Sequence, residues 1–400
     1  MVLRIKLLIL TGLILGILVV SCAPASDPAL VLPTGELKTS SEQEIQSSPQ
    51  PPRVLSICLQ DEPDSLFIYR DQSESARMIR QAVYDGPVDL IDGQETPVIL
   101  TDIPSQENGQ VVVEAVELEP GSQIVDPDGN LTYLREGVEF FPDGCQSEEC
   151  LEVYSGQGTV LMDQVQITYR LKPDLNWSDG EQMTAADSQF SFQIAAALYP
   201  DPKPKRVRYT ESFEALDEES LIWKGVPGFR GIMHYTDYFF SPLPEHILAD
   251  QNPGDLLDDP DLNRAPIGWG AFMIEEWIEG DHITLVRNPE YQPGVDPVGF
   301  DSLVFRFYLT VDEVLDAFQA GECQLAANSI DLLDRMDEIA LLKNEDQVQV
   351  VYLQTDVWEQ VTFGINSLST ERGLLSDSAV RKSIAHCMNR QEIVSSLNRA

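Results

Sequence analysis

The first twenty residues constrain this chain more than any other feature. Arg4 and Lys6 stand before an apolar run of 14 residues, Leu7 to Val20. A helix that crosses a bilayer needs about 20 such residues, so this run is too short to span. Its length and basic lead are those of the apolar core of a secretory signal. Residues 23–52 are rich in Pro, Ser, Thr and Gln and lack hydrophobic periodicity, so they cannot bury enough surface to order themselves. A flexible linker of that length has an end-to-end span of roughly 30 Å. The spacing therefore assigns a signal to 1–21, a flexible linker to 22–52 and the folded part to residues from 53 onward.

The run closes on Val19-Val20-Ser21-Cys22. A small residue directly before Cys at the end of such a run resembles the bacterial lipoprotein cleavage box. The resemblance implies that Cys22 becomes the first mature residue and carries lipid. The chain is then held at the extracytoplasmic face of a bacterial cell membrane, periplasmic or on the cell surface. In that oxidising setting Cys145 and Cys150, which flank Gln-Ser-Glu-Glu in a polar loop, read as a short-loop disulfide. As a metal pair they lack further ligands nearby. Cys58, Cys323 and Cys387 each sit among apolar residues and read as small core hydrophobes.

Charge narrows the partners. The net charge is −40, and removing Arg4 and Lys6 makes it more negative. Such a surface repels phosphate backbones, which argues against nucleic acid, and it disfavours contact with anionic lipid through side chains. The bland account of the acidity is a solubilising surface, and it does not by itself make the ligand cationic.

At 400 residues the chain exceeds what one core holds, and a division into two or three domains is expected. Strand and helix signals alternate along it. Arg53–Leu59 reads as a strand and Ser75–Asp85 as a helix stopped by Gly86. Val165, Ile167, Tyr169 and Leu171 alternate with polar residues as in a half-buried strand. Thr184 and Asp187 resemble a capping box, with Phe190, Ile194, Ala197 and Leu198 at helical spacing behind them. Leu303–Leu309 reads as a mostly buried strand, and Thr310 with Glu313 caps a helix that Gly321 stops. The class is mixed α/β.

Catalytic signatures are missing. The four histidines are not paired at ligand spacing, and no HExxH, GxGxxG, P-loop or GxSxG occurs. His282 and His386 read as structural. The Asp-rich stretch 250–261 does not match EF-hand spacing and reads as a solvated loop. No cofactor or metal is expected, and no enzymatic activity. An extracytoplasmic hydrolase has no Ser/His/Asp arrangement to support it.

Four segments, in order, resemble the solute-binding lipoproteins of peptide- and nickel-type ABC importers. They are VLSICLQDEPDSLFIY (54–69), LKPDLNWSDGEQMTAADSQFSFQIAAA (171–197), APIGWGAFMIEEWIEGDHITLVRNPEY (265–291), and FGIN with SAVRKSIAHCMNRQEIV (363–394). The resemblance implies a two-lobed periplasmic-binding-protein-like fold that closes by a hinge on a central ligand cleft. It implies a first lobe over 53–300, with a smaller inserted subdomain at about 86–215, and the beginning of an incomplete second lobe at 301–400. The implied function is capture of oligopeptides or dipeptides, with sugars, nickel chelates or haem taken by relatives, and delivery to ABC permease subunits. A monomer is expected. The alternative is a cell-surface signalling or chaperone-like protein that keeps the fold without transport, or a truncated relative that binds nothing. Departures include Trp269 where the family has Thr, and Ala271 where it has Pro. Glu62, Asp64, Trp269, Trp358 and Asn366 are the residues expected to line the cleft. Trp269 is expected either to stack on a ligand or to pack between lobes. Substituting Glu62 or Trp269 is expected to weaken ligand binding with thermal stability nearly unchanged.

Overall fold

The strand Val54–Leu59 lies inside a five-stranded sheet, and its second half, Ile57 to Leu59, is buried from both sides. The computed structural model describes residues 51–91, 93–199, 203–291, 299–327, 332, 335–345, 347–351, 375, 377–390 and 392. In sheet order the strands are Phe272–Ile278, His282–Arg287, Ser302–Phe307, Val54–Leu59 and Leu325–Ala326. The first three form an antiparallel meander. Val54–Leu59 runs parallel to both its neighbours, in register Val54 to Ser302 and Ile57 to Leu325.

Alternation of side chains along a strand divides its residues between two faces. Ile57 and Leu59 join a core with Ile79 and Val83 of the helix Glu74–Val83 and with Ile283, Leu285, Leu303 and Phe305. Cys58 points to the other face and packs with Val314 and Ala317 of the helix Val311–Ala320. One helix therefore covers each face of the same strand. The second helix begins in a capping box: Glu313 N–H donates to Thr310 Oγ1 (3.3 Å), and Thr310 N–H donates to Glu313 Oε2 (3.0 Å). It ends at Gly321, whose φ of 78° is left-handed backbone that a side chain would strain. The run 303–309, read as mostly buried throughout, instead alternates. Leu303 and Phe305 are buried, and Val304 and Arg306 are half-buried.

A second sheet is antiparallel, in the order Thr210–Ala215, Ser220–Gly225, Val160–Arg170 and Val111–Leu118. The helix Ala185–Leu198 covers it, and Ile167, Tyr169, Phe190, Ile194, Phe213, Leu221 and Trp223 share one core. The expected subdomain limit near 215 falls within the hairpin Thr210–Ala215/Ser220–Gly225, so the sheet continues past it. The strand expected to open a second lobe, Ser302–Phe307, is hydrogen-bonded to Val54–Leu59 and belongs to the first sheet. Among the described residues no helix is long and apolar enough to cross a membrane.

The cysteine assignment needs correction. Cys58 and Cys323 are not lone core thiols: they form a buried disulfide across 265 residues, with a Cα–Cα distance of 5.7 Å. It ties the central strand to the chain just past the helix Val311–Ala320. Cys387 is exposed and unbonded. Cys145 and Cys150 are joined in a second disulfide. A crosslink removes loop-closure entropy from the unfolded chain, more for a longer loop: about 5 kcal/mol for Cys58–Cys323 and about 2 kcal/mol for the short loop. Replacing both Cys58 and Cys323 by Ser is expected to cost at least twice what the same change at Cys145 and Cys150 costs, read from urea unfolding midpoints. Equal costs would contradict the bracing role given to Cys58–Cys323.

Candidate functional site

In open sheets of parallel strands, ligands lie outside the carboxyl ends, where connections leave in opposite directions. Leu59, Phe307 and Ala326 end the three parallel strands on one side of the sheet. The chain leaves Leu59 toward the helix Glu74–Val83 on one face, and leaves Phe307 toward the helix Val311–Ala320 on the other. The rim so formed carries Gln60–Asp64 and Tyr308–Thr310. Asp61 and Asp64 are exposed there, and Leu309 is 86% exposed.

The turn after the central strand is held from within. Asp71 Oδ2 accepts the N–H of Asp64 (2.9 Å) and of Ser65 (3.3 Å), and Asp71 Oδ1 accepts that of Ser73 (2.7 Å). Burial raises the Asp71 carboxyl, but the bonds from Ser73, Ser65 and Asp64 outweigh it, and its pKa is lowered. Ser73 then caps the helix by accepting the N–H of Ala76. Asp64 is thus fixed by its backbone while its carboxylate stays in solvent.

Glu62 stands differently. Its Oε1 accepts the indole N–H of Trp277 (2.6 Å), and its Oε2 accepts the N–H of Gly280 (2.8 Å). Arg264 lies 3.5 Å from Oε1 and 4.1 Å above the Trp277 ring. The carboxylate fastens the turn to the Phe272–Ile278/His282–Arg287 hairpin. Removing its charge breaks a tie between two elements, so the expectation of unchanged stability does not fit this geometry.

Trp269 is buried inside the fold. Its indole N–H donates to Asp85 O (2.9 Å), and its ring meets Trp177 at 5.2 Å and Tyr84 at 4.9 Å. The flanking glycines are there for close approach. A Cβ on Gly270 would stand 2.7 Å from Ala82 O and 2.8 Å from Val83 O, and one on Gly268 would strike Val83 O. Ser178 N–H donates to Gly268 O (2.7 Å), and the Asn288 amide donates to Gly270 O (2.9 Å). Two of the four sequence segments singled out above, 171–197 and 265–291, therefore meet the end of the helix Glu74–Val83 at one hub around Trp269. Trp358 and Asn366 lie outside the described residues, as does Cys22.

The sequence reading passed over Asp85 and Tyr291, which border this hub. Burial pushes the Asp85 carboxyl up to about 6. A hydrogen bond from the Tyr291 hydroxyl acts against that, Asp89 adds to it, and Lys172 opposes it. Burial and the two acids push Tyr291 upward in turn. Among the described residues no group of three or more His, Cys, Asp or Glu side chains is placed to hold a metal ion.

This arrangement defines a class before it defines a family: a mixed α/β protein whose parallel strands open on one side of the sheet. The structure of NikZ from Campylobacter jejuni in complex with Ni(L-His) has the same fold. Its TM-score is 0.53 at 15% identity, over 87% of this chain and 56% of that one. The fold is the two-lobed one of the periplasmic binding proteins. The family of bacterial extracellular solute-binding proteins, family 5 Middle, matches residues 155–400, and the chain belongs to it. Its members work outside the cytoplasm. A putative ABC transporter peptide-binding protein of Brucella ovis is 26% identical over 236 residues, 59% of this chain and 42% of that protein. The oligopeptide-binding protein AppA of Bacillus subtilis is 24% identical over 56% of this chain and 39% of its own length. The chain thus spans less than half the length of the curated relatives it matches.

Two outcomes check this description. Trp269→Ala should cost about 3–5 kcal/mol of stability in urea unfolding, because it empties a core site and orphans Asp85 O. A neutral effect would put the ring outside the core. For Asp85 the folded-state pKa lies above the unfolded one, so its ionisation opposes folding as pH rises through 6 and costs nothing below about pH 4. Asp85→Asn should therefore stabilise the protein at pH 8, on the order of 1–2 kcal/mol after solvent screening, with no gain at pH 4. A gain of the same size at both pH values would remove the ionisation as its cause.

Proposed function

We propose that this chain is the tethered, extracytoplasmic receptor of a peptide importer. Lipid on Cys22 holds it at the membrane. It captures an oligopeptide or dipeptide at the carboxyl ends of its parallel strands and passes it to an ABC permease. It performs no chemistry on the solute. The observation that carries this reading is the rim itself: three parallel strands open on one side, and Asp61 and Asp64 stand exposed on a turn whose backbone is locked by Asp71. Peptide-binding relatives over the same stretch support the solute class. A locked turn with free carboxylates suits the ammonium end and N–H groups of an extended peptide, because little ordering entropy is lost on binding.

Within this reading Asp64 contacts solute, together with Trp358 and Asn366 from the later part of the chain. Glu62 and Trp269, which the sequence also proposed as ligand contacts, act indirectly by holding the rim and the hub in place.

Titration calorimetry with a pool of di- to pentapeptides tests this. Binding without hydrolysis is expected, with the peptides recovered intact. Asp64→Asn should weaken binding by about tenfold, the worth of one charge-assisted hydrogen bond, and leave the melting temperature unchanged. Peptide cleavage, or undiminished affinity in Asp64→Asn, would contradict the assignment.

A further inference from the structure

The carboxylates outnumber the cations heavily, yet four of the 26 Lys and Arg residues fall within six positions: Lys203, Lys205, Arg206 and Arg208. Among the described residues none of the four is ion-paired with a carboxylate. Lys205, Arg206 and Arg208 are held by aromatic rings and carbonyls instead. The Arg206 guanidinium lies 4.4 Å from the Phe240 ring centre and donates to Phe239 O (3.1 Å), so it anchors the segment. Arg208 lies 4.7 Å from the Tyr209 ring centre and donates to the Tyr209 hydroxyl (3.0 Å). Tyr209 stacks on Phe229 at 4.3 Å. Lys205 Nζ donates to Gly231 O (3.3 Å), which brings Arg230 and the Gly231–His234 loop alongside. Lys203, Lys205, Arg208 and Arg230 are exposed, and two residues past Gly231 the Met233 side chain is 86% exposed. Acids of the described residues bear on this face as well, among them Asp126 on the turn 126–130 and Asp143 beside Asp163. Asp163 is 3.8 Å from Arg230, Glu95 is 4.0 Å from His234, and Asp128 is on the turn whose Gly129 O accepts the Tyr209 hydroxyl (2.7 Å).

We propose that this face rests on an anionic phospholipid surface, with Lys203, Lys205 and Arg208 meeting headgroup phosphates and Met233 entering the acyl boundary. Rigidly held cations around a projecting apolar side chain are the composition of an interfacial contact. The overall negative charge does not forbid it. At physiological salt the field of remote carboxylates fades within about 8 Å, so the local patch decides what can touch it. Each Lys or Arg brought to an anionic leaflet adds to binding. Nucleic acid, the other common partner of a basic and aromatic face, has far more charge to bring past the surrounding acids. The contact goes beyond solute capture and uses none of the strand-end rim. Its effect would be to fix how the receptor sits on the membrane to which Cys22 tethers it.

Vesicle flotation tests it without solute. The mature chain, residues 22–400 with Cys22→Ser so that neither the signal nor an acyl chain contributes, is mixed with vesicles of phosphatidylcholine alone or of equal parts phosphatidylcholine and phosphatidylglycerol. Partitioning about tenfold stronger onto the anionic vesicles at low salt is expected, falling as salt rises. Lys205→Glu with Arg208→Glu should abolish that preference, and Met233→Ser should weaken it with the charges intact. Equal partitioning onto both vesicles overturns the proposal. So does a preference that survives the charge reversal, which would assign it to cations outside this face. Capture by immobilised polyglutamate without vesicle binding would give the face to an acidic polypeptide and equally overturn it. Unchanged peptide affinity in the charge-reversed protein keeps this outcome separate from the solute reading.

Discussion

The two-sided burial of the strand Val54–Leu59 is the constraint from which the rest of the structure follows. Its alternate residues feed two cores: Ile57 and Leu59 face one helix, and Cys58 faces the other. A strand committed on both faces cannot shift register by one residue without exchanging its core sets. The disulfide from Cys58 to Cys323 adds a covalent limit at the same point. Rigidity there is transmitted to the turn that follows, where Asp71 fixes the backbone of Asp64 and Ser65. The candidate site is thus mounted beside a strand that is packed on both faces and held by a disulfide. Binding groups held that way lose little freedom when a ligand arrives.

The hub around Trp269 plays the corresponding part for the surrounding loops. Gly268 and Gly270 let their backbone close on the end of the helix Glu74–Val83, and Ser178 and Asn288 hydrogen-bond into the same loop. Asp85 is the energetic exception: a carboxyl whose burial costs stability when it ionises, retained beside Tyr291 and Asp89. The Trp269 bond falls on its backbone oxygen, so the packing of the hub does not require the acid itself.

Much of this was legible in the sequence, for local reasons. The Thr310–Glu313 cap and the Gly321 stop depend on contacts within a few residues, and they stand where the sequence places them. The strand before Leu171 follows from hydrophobic period, and the helix after Thr184 from its capping box with Phe190 and Ile194 at helical spacing, although Ala197, placed on the same face, is exposed. What was not legible is long-range. A buried thiol and a buried disulfide share the same apolar neighbourhood, so Cys58 gave no sign of a partner 265 residues away. Glu62 has the sequence context of a solute contact, but its acceptors are filled by Trp277 and Gly280, on a hairpin more than 200 residues distant. Trp269 departs from the family pattern and left two readings open, ligand stacking or packing; its ring packs in the hub against Trp177 and Tyr84. Asp85 acquires its shifted pKa only from tertiary burial.

Native mass spectrometry of the protein purified from its own source tests the central claim most directly, that the rim on the central strand captures a peptide. The account predicts a population heavier than the bare chain by the mass of a short peptide, released as an intact peptide on activation, and depleted in protein carrying Asp64→Asn. A bare mass throughout, or an adduct equally abundant in Asp64→Asn, would contradict it.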